Sequence, residues 1–204
     1  MTQPPAEAPV GRRERKKAAT RQAIADAALR LFLERGYDQV SVRDVAEEAD
    51  VSTTTVFKHF TGKEALVFDQ EESTDAHLIA AVRQRADGVD VLESLRRRLL
   101  DTWLPIADHP QNEEFFRLVD STPSLRAYAE RMWARHTDTL GAALADEFGV
   151  EHGNLACVTL ARFVLEIPVL ARGQKDRRAA VEEIFDILAD GWRPPAGTAA
   201  TRAG

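Results

Sequence analysis

Apolar side chains along this chain recur mostly at three- and four-residue intervals, the spacing of one helical face, and no stretch alternates convincingly as a half-buried strand would. Ile24, Ala27, Ala28, Leu31 and Phe32 predict a first helix over residues 18–35, stopped by Gly36. Val42, Val45 and Ala46 mark a short second helix behind Ser41, with Asp44 in capping-box position. Ala49-Asp50-Val51 reads as a tight turn, Ser52 as the next N-cap, and Val56 and Phe60 as the apolar face of a third helix. Thr61-Gly62-Lys63-Glu64 repeats the cap signal and predicts a long helix from Lys63 to about Arg85, ended by Asp87-Gly88.

The same spacing predicts a helix over 91–107, with Leu92, Leu95, Leu99, Trp103 and Ile106 on one face and Pro105 near its end. Phe115, Phe116 and Val119 predict another over 112–121. Thr122-Pro123 starts the next, over 123–148, whose stripe is Leu125, Ala129, Met132, His136, Leu140 and Ala143, with Trp133 beside it. Residues 152–172 are apolar nearly all round, with a kink expected at Pro168. The last helix, over 175–192, sets Val181, Ile184, Phe185, Leu188 and Trp192 against a carboxylate-rich opposite face. The pattern is that of an all-α protein of about nine helices.

The chemistry of the third helix narrows the function. Away from its apolar face it carries Thr53, Thr54, Thr55, Lys58 and His59, short hydrogen-bonding groups and a cation with no carboxylate. Two short helices around a tight turn, the second so equipped, fit a helix-turn-helix whose recognition helix enters the major groove. Lys63, at the expected start of the following helix, is placed for a phosphate, as are Thr20 and Arg21 near the start of the first. Ahead of them Gly11 to Lys17 is a basic run, with Arg15, Lys16 and Lys17 next to the first helix, expected as an arm on phosphates or in a minor groove.

Overall charge points the other way until it is divided. The 204 residues carry −6, but residues 11–63 hold 11 Lys and Arg against 8 Asp and Glu, leaving −8 on residues 64–204. A slightly basic head on an acidic body suits a protein expected to touch DNA at one end. Its single cysteine, Cys157, forms no intrachain disulfide and reads as a small buried hydrophobe. No apolar run reaches the ~20 residues of a membrane span, and residues 1–10 lack a signal-peptide core, so a cytoplasmic protein is expected.

The segment 18–66 resembles the N-terminal DNA-binding domain of the tetracycline-repressor (TetR) family. The resemblance is carried by Ala27, Leu31, Phe32, Gly36 and Tyr37, then Val42, Val45, Ala46, Ala49, Val51 and Ser52, then Thr55 to Phe60 and Lys63-Glu64-Ala65-Leu66. It implies an N-terminal three-helix domain over 18–64 and a helical effector-binding and dimerisation domain over 65–193. Residues 1–17 are expected as a disordered basic arm and 194–204 as a disordered tail. The DNA-contacting set is then Ser41, Thr53, Thr54, Thr55, Phe57, Lys58, His59 and Lys63 with the arm residues Arg15, Lys16 and Lys17. The family usually has tyrosine where this chain has Phe57, and a phenyl ring cannot donate the phosphate hydrogen bond that tyrosine commonly makes.

One recognition helix makes too few contacts for tight binding, so a homodimer on palindromic double-stranded DNA is expected. Its interface is expected on the last two helices, at Phe163, Ile167, Val181, Ile184, Phe185 and Leu188. Trp103, Phe115, Phe116, Met132 and Trp133, with His136 as a polar group among them, are expected to wall a cavity for a small apolar effector. Leu118 to Leu125 and the helix after it also resemble mycofactocin-type TetR-like regulators, which adds fatty acyl-CoA as one effector candidate. Two rivals stay open: a DNA-binding architectural or partner-controlled protein without a pocket, and an enzyme on a helical bundle. For the latter the chain offers no glycine-rich phosphate loop, no GxSxG and no HExxH, and neither cofactor nor metal is expected.

Overall fold

The computed structural model describes residues 11–69, 71–107 and 112–191. Among them nine α-helices and two 3₁₀ turns form, and no strand. The expected disorder of residues 1–10 and 194–204, and the apolar role of Trp192, lie outside the described residues. No described helix is long and apolar enough to cross a membrane.

The first helix, α1 (Arg12–Arg35), begins six residues earlier than expected. The basic run is therefore not an arm from Gly11 onward but the exposed first turns of this helix. Arg, Lys, Glu and Ala are all good helix formers, and the Gly11 N–H donates to the Glu14 carboxylate at 3.3 Å. After a 3₁₀ turn (Tyr37–Gln39) come α2 (Val42–Glu48) and α3 (Thr53–His59). The expected long helix from Lys63 is broken: a 3₁₀ turn (Glu64–Leu66) precedes α4 (Glu71–Arg83). Ala65, Leu66 and Val67 are all buried, and three consecutive inward side chains do not fit a helix with one apolar face. Then follow α5 (Val91–Ala107), α6 (Asn112–Ser121), α7 (Pro123–Phe148), α8 (Leu155–Arg172) and α9 (Arg177–Asp190).

The chain divides into two compact units, Met1–Ser73 with Pro110–Met132, and Thr74–His109 with Trp133–Gly204. The first is larger than the expected 18–64 domain. Its core joins Ile24, Ala28, Leu31 and Phe32 of α1 to Val45 and Ala46 of α2 and to Val56 and Phe60, and it also takes in Val119 of α6 and Leu125 of α7. These side chains bury the apolar faces that neither α2 nor α3, seven residues each, could cover alone.

The second unit packs Leu78 and Val82 of α4, Leu95 and Leu99 of α5, Leu140 and Leu144 of α7, Ala161, Val164 and Ile167 of α8, and Val181 and Phe185 of α9 into one core. α7 and α8 meet closely at Gly141, where a Cβ would lie 3.5 Å from the Val158 side chain. Asn154 caps α8, its side chain accepting from the Ala156 and Cys157 N–H groups, and Asp176 caps α9, its carboxylate accepting from the Ala179 N–H. Apolar on several sides as expected, α8 nevertheless buries only one of them here. Leu155, Phe163, Val169 and Leu170 stay exposed, at 80, 52, 51 and 56% of their surface.

Candidate nucleic-acid interface

The site begins with two serine caps. Ser41 Oγ accepts from the Asp44 N–H at 3.2 Å, and the Asp44 carboxylate accepts from the Ser41 N–H at 2.7 Å and hydroxyl at 2.6 Å. These hydrogen bonds hold the Asp44 carboxyl below its ordinary range. Ser52 Oγ accepts from the Thr55 N–H at 3.1 Å and lies 2.8 Å from the Thr55 hydroxyl. Between the caps the chain reverses through Asp50, which takes φ 52°, and the Val51 N–H returns to the Ala46 carbonyl at 2.9 Å. Aspartate tolerates this left-handed conformation better than most residues.

On α3 the inward residue Val56 is 1% exposed, as is the flanking Phe60 at 3%. Opposite them Thr53, Thr54, Phe57 and Lys58 are exposed, while Thr55 and His59 are half-buried. Among the described residues of the first unit, Phe57 is the most exposed of the large apolar ones, at 59%. Arg15, Lys16 and Lys17 are exposed on α1, and among the described residues no ion pair engages them or Lys58. By contrast Arg30 pairs with Glu48 at 2.5 Å and Arg43 with Glu47 at 2.9 Å.

Two expected phosphate contacts are engaged elsewhere. Arg21 donates to the His59 carbonyl at 2.5 Å and to the Asp69 carbonyl at 3.1 Å, and its guanidinium stacks 4.4 Å from the centre of the Phe60 ring. It clamps the end of α3 against α1. Lys63 Nζ donates to the Tyr37 carbonyl at 2.5 Å and sits 4.0 Å from the centre of the Tyr37 ring, with burial lowering its pKa. It precedes a three-residue 3₁₀ turn rather than a long helix, so the dipole expected to support a phosphate there is missing. His59 is held below its ordinary pKa by burial first, then by Lys17 and Arg21. Sequence reasoning left Arg21 without its clamp role, because the two carbonyls it joins lie 38 and 48 residues away.

The effector candidates divide between the units. Phe115, Phe116 and Met132 belong to the first, where Phe115 meets Phe68 edge to face and Phe116 at 5.4 Å between ring centres. Trp103, Trp133 and His136 belong to the second, and both tryptophans pack on its core. His136 is 1% exposed, with its ring 5.4 Å from that of Trp133. The space bordered by Trp133, Thr137, Arg162, Leu165, Glu166 and Val169 is about 30 Å³, room for a single water.

The expected interface set needs correction. Ile167, Val181 and Phe185 are 0, 0 and 3% exposed and form the second unit's own core, so they have no surface to offer a twin. Phe163 does face outward, and Ile184 and Leu188 are half-buried. An open groove of about 560 Å³ runs along Leu155, Ala156, Thr159, Leu160, Phe163 and Leu188. The missed signal was a second stripe, Leu155, Thr159, Phe163 and Leu170, on a helix already seen to be apolar on several sides.

Residues 24–69 match the family model for bacterial regulatory proteins of the tetR family. The chain is 30% identical over 148 residues to the HTH-type transcriptional regulator TcmR of Streptomyces glaucescens, covering 69% of this chain and 66% of that protein. It is 26% identical over 194 residues to a Mycobacterium tuberculosis protein whose name, MftR, ties it to regulation of mycofactocin biosynthesis, covering 92% of this chain and 96% of the other. Among solved structures, a TetR-family regulator from Streptomyces coelicolor superimposes with a TM-score of 0.58 at 22% identity, over 89% of this chain and 98% of that one.

Proposed function

Because the chain belongs to the TetR family of DNA-binding transcriptional regulators, we propose that it is a repressor that grips a palindromic operator as a homodimer and lets go when a small apolar effector binds. The observation that carries the DNA-binding half is α3 itself. Thr53, Thr54 and Lys58 stand exposed and free of carboxylates opposite the buried Val56 and Phe60. Hydroxyls and an ammonium on one helical face match base edges of the major groove. The exposed cations of α1 add sequence-independent attraction to phosphate.

The dimer half is supported by the apolar stripe of α8, which no residue of the second unit covers among those described. Two recognition helices on a palindrome must sit about 34–36 Å apart, one turn of DNA. An effector that favours any other spacing releases the operator, by as much as its affinity differs between the two states. Fatty acyl-CoA is one effector candidate among many, from the resemblance of Leu118 to Leu125 and the helix after it. The second reading is that a partner rather than a small ligand controls the regulator.

Selection of bound sequences from random duplex DNA tests the proposal. A palindromic consensus whose affinity falls steeply with salt is expected. No preference over random duplex at moderate salt defeats it. Adding acyl-CoA to the bound complex then separates the two readings: release supports an effector, and unchanged binding favours a partner.

A further inference from the structure

We propose that Phe57 is a specificity-determining residue that reads the C5-methyl group of a thymine in the major groove, an inference resting on the DNA-binding reading above. Exposed apolar residues are ordinary when scattered, and 59% exposure alone would mean little. The location of Phe57 is what matters. It stands on α3 one turn beyond Thr53 and Thr54 and next to Lys58, all exposed, so its ring shares the polar face that meets DNA. Among the described residues it joins neither apolar core. Val56 and Phe60 already anchor this helix, so folding does not use the ring.

A phenyl ring neither donates nor accepts a conventional hydrogen bond, and it cannot pair with a phosphate. Along the major-groove edges of the four base pairs the one apolar group is the thymine methyl. Covering the ring with that methyl removes apolar surface from water on both sides. A polar base edge in the same place loses its water and gains no partner. Thr53 and Thr54, exposed one turn before the ring, each carry a methyl beside a hydroxyl.

The test uses the full chain and the site it selects from random duplex. Each thymine of that site is replaced in turn by deoxyuridine, which removes the methyl and leaves every hydrogen-bonding group. One thymine per half-site is expected to matter, its replacement weakening the wild type about fourfold, the value of one buried methyl-sized group. The same replacement is expected to leave Phe57→Ala unaffected and Phe57→Tyr still sensitive, with helical content of both variants equal to wild type. Uracil tolerated at every position overturns the inference while leaving the DNA-binding reading intact, as does equal sensitivity in Phe57→Ala. A wild type that selects no site overturns both.

Discussion

At the scale of the residue, the two lysines of the recognition region separate by what they touch. Lys58 points outward with no ion pair among the described residues, whereas Lys63 is tied to the Tyr37 carbonyl and ring. Lys58→Ala is expected to change base preference at one position by about 1–3 kcal/mol. Lys63→Ala is expected to lower stability by roughly 0.5–2 kcal/mol through the lost cation–π contact, with the salt dependence of binding unchanged. Filter binding at several salt concentrations and urea unfolding distinguish the two. His59 supplies a pH dependence with a definite sign. Burial, Lys17 and Arg21 hold its folded pKa below the ordinary value. As pH falls through about 6.5 the unfolded chain takes up a proton that the fold resists, so stability drops on acidification and its full value is present above that range. His59→Gln is expected to remove part of the drop in urea midpoint between pH 7.5 and pH 5.

At the scale of the element, the clamp at Arg21 ties α1 to the last carbonyl of α3 and to Asp69. Arg21→Ala is expected to cost about 1.5–3 kcal/mol, the range for hydrogen bonds from a charged group. Arg21→Lys is expected to recover little, because one ammonium does not span two carbonyls as a guanidinium fork does. Operator affinity of each, measured where the protein is fully folded, reports how far α3 loses its aim. In the second unit Gly141→Ala places a methyl in ordinary contact with Val158 at 3.5 Å. The helix gains up to about 1 kcal/mol from the better former. Gly141→Leu forces α7 from α8 and is expected to lower the melting temperature. The elements themselves were largely legible in sequence: Ser41 and Ser52 as caps, and the starts of α5, α6 and α7, stand where their residues announce them. The break after Leu66 was not, because a cap signal at Thr61 to Glu64 is identical whether the chain runs on as a helix or is pulled inward by Ala65 to Val67. Nor could spacing alone say which of several apolar faces of α8 turns into the core and which stays outside.

At the scale of the whole molecule, the core and the uncovered stripe make opposite predictions for similar substitutions. Phe185→Asp puts an unpaired charge into the second unit's core, where the 3% exposed ring now sits, and is expected to unfold it. Phe163→Glu, on the exposed stripe, is expected to give a folded monomer by sedimentation that no longer holds a palindromic site. A wild type that stays monomeric at micromolar concentration defeats the dimer proposal. The uncovered stripe also has a quantitative consequence. If two copies must meet along Leu155, Phe163 and Leu170 before either grips DNA well, promoter occupancy in dilute conditions follows the square of the chain's abundance. Halving the expression of such a regulator then cuts its bound fraction fourfold. A stripe of three apolar side chains would in that way turn a gradual change in protein level into a steep change in transcription.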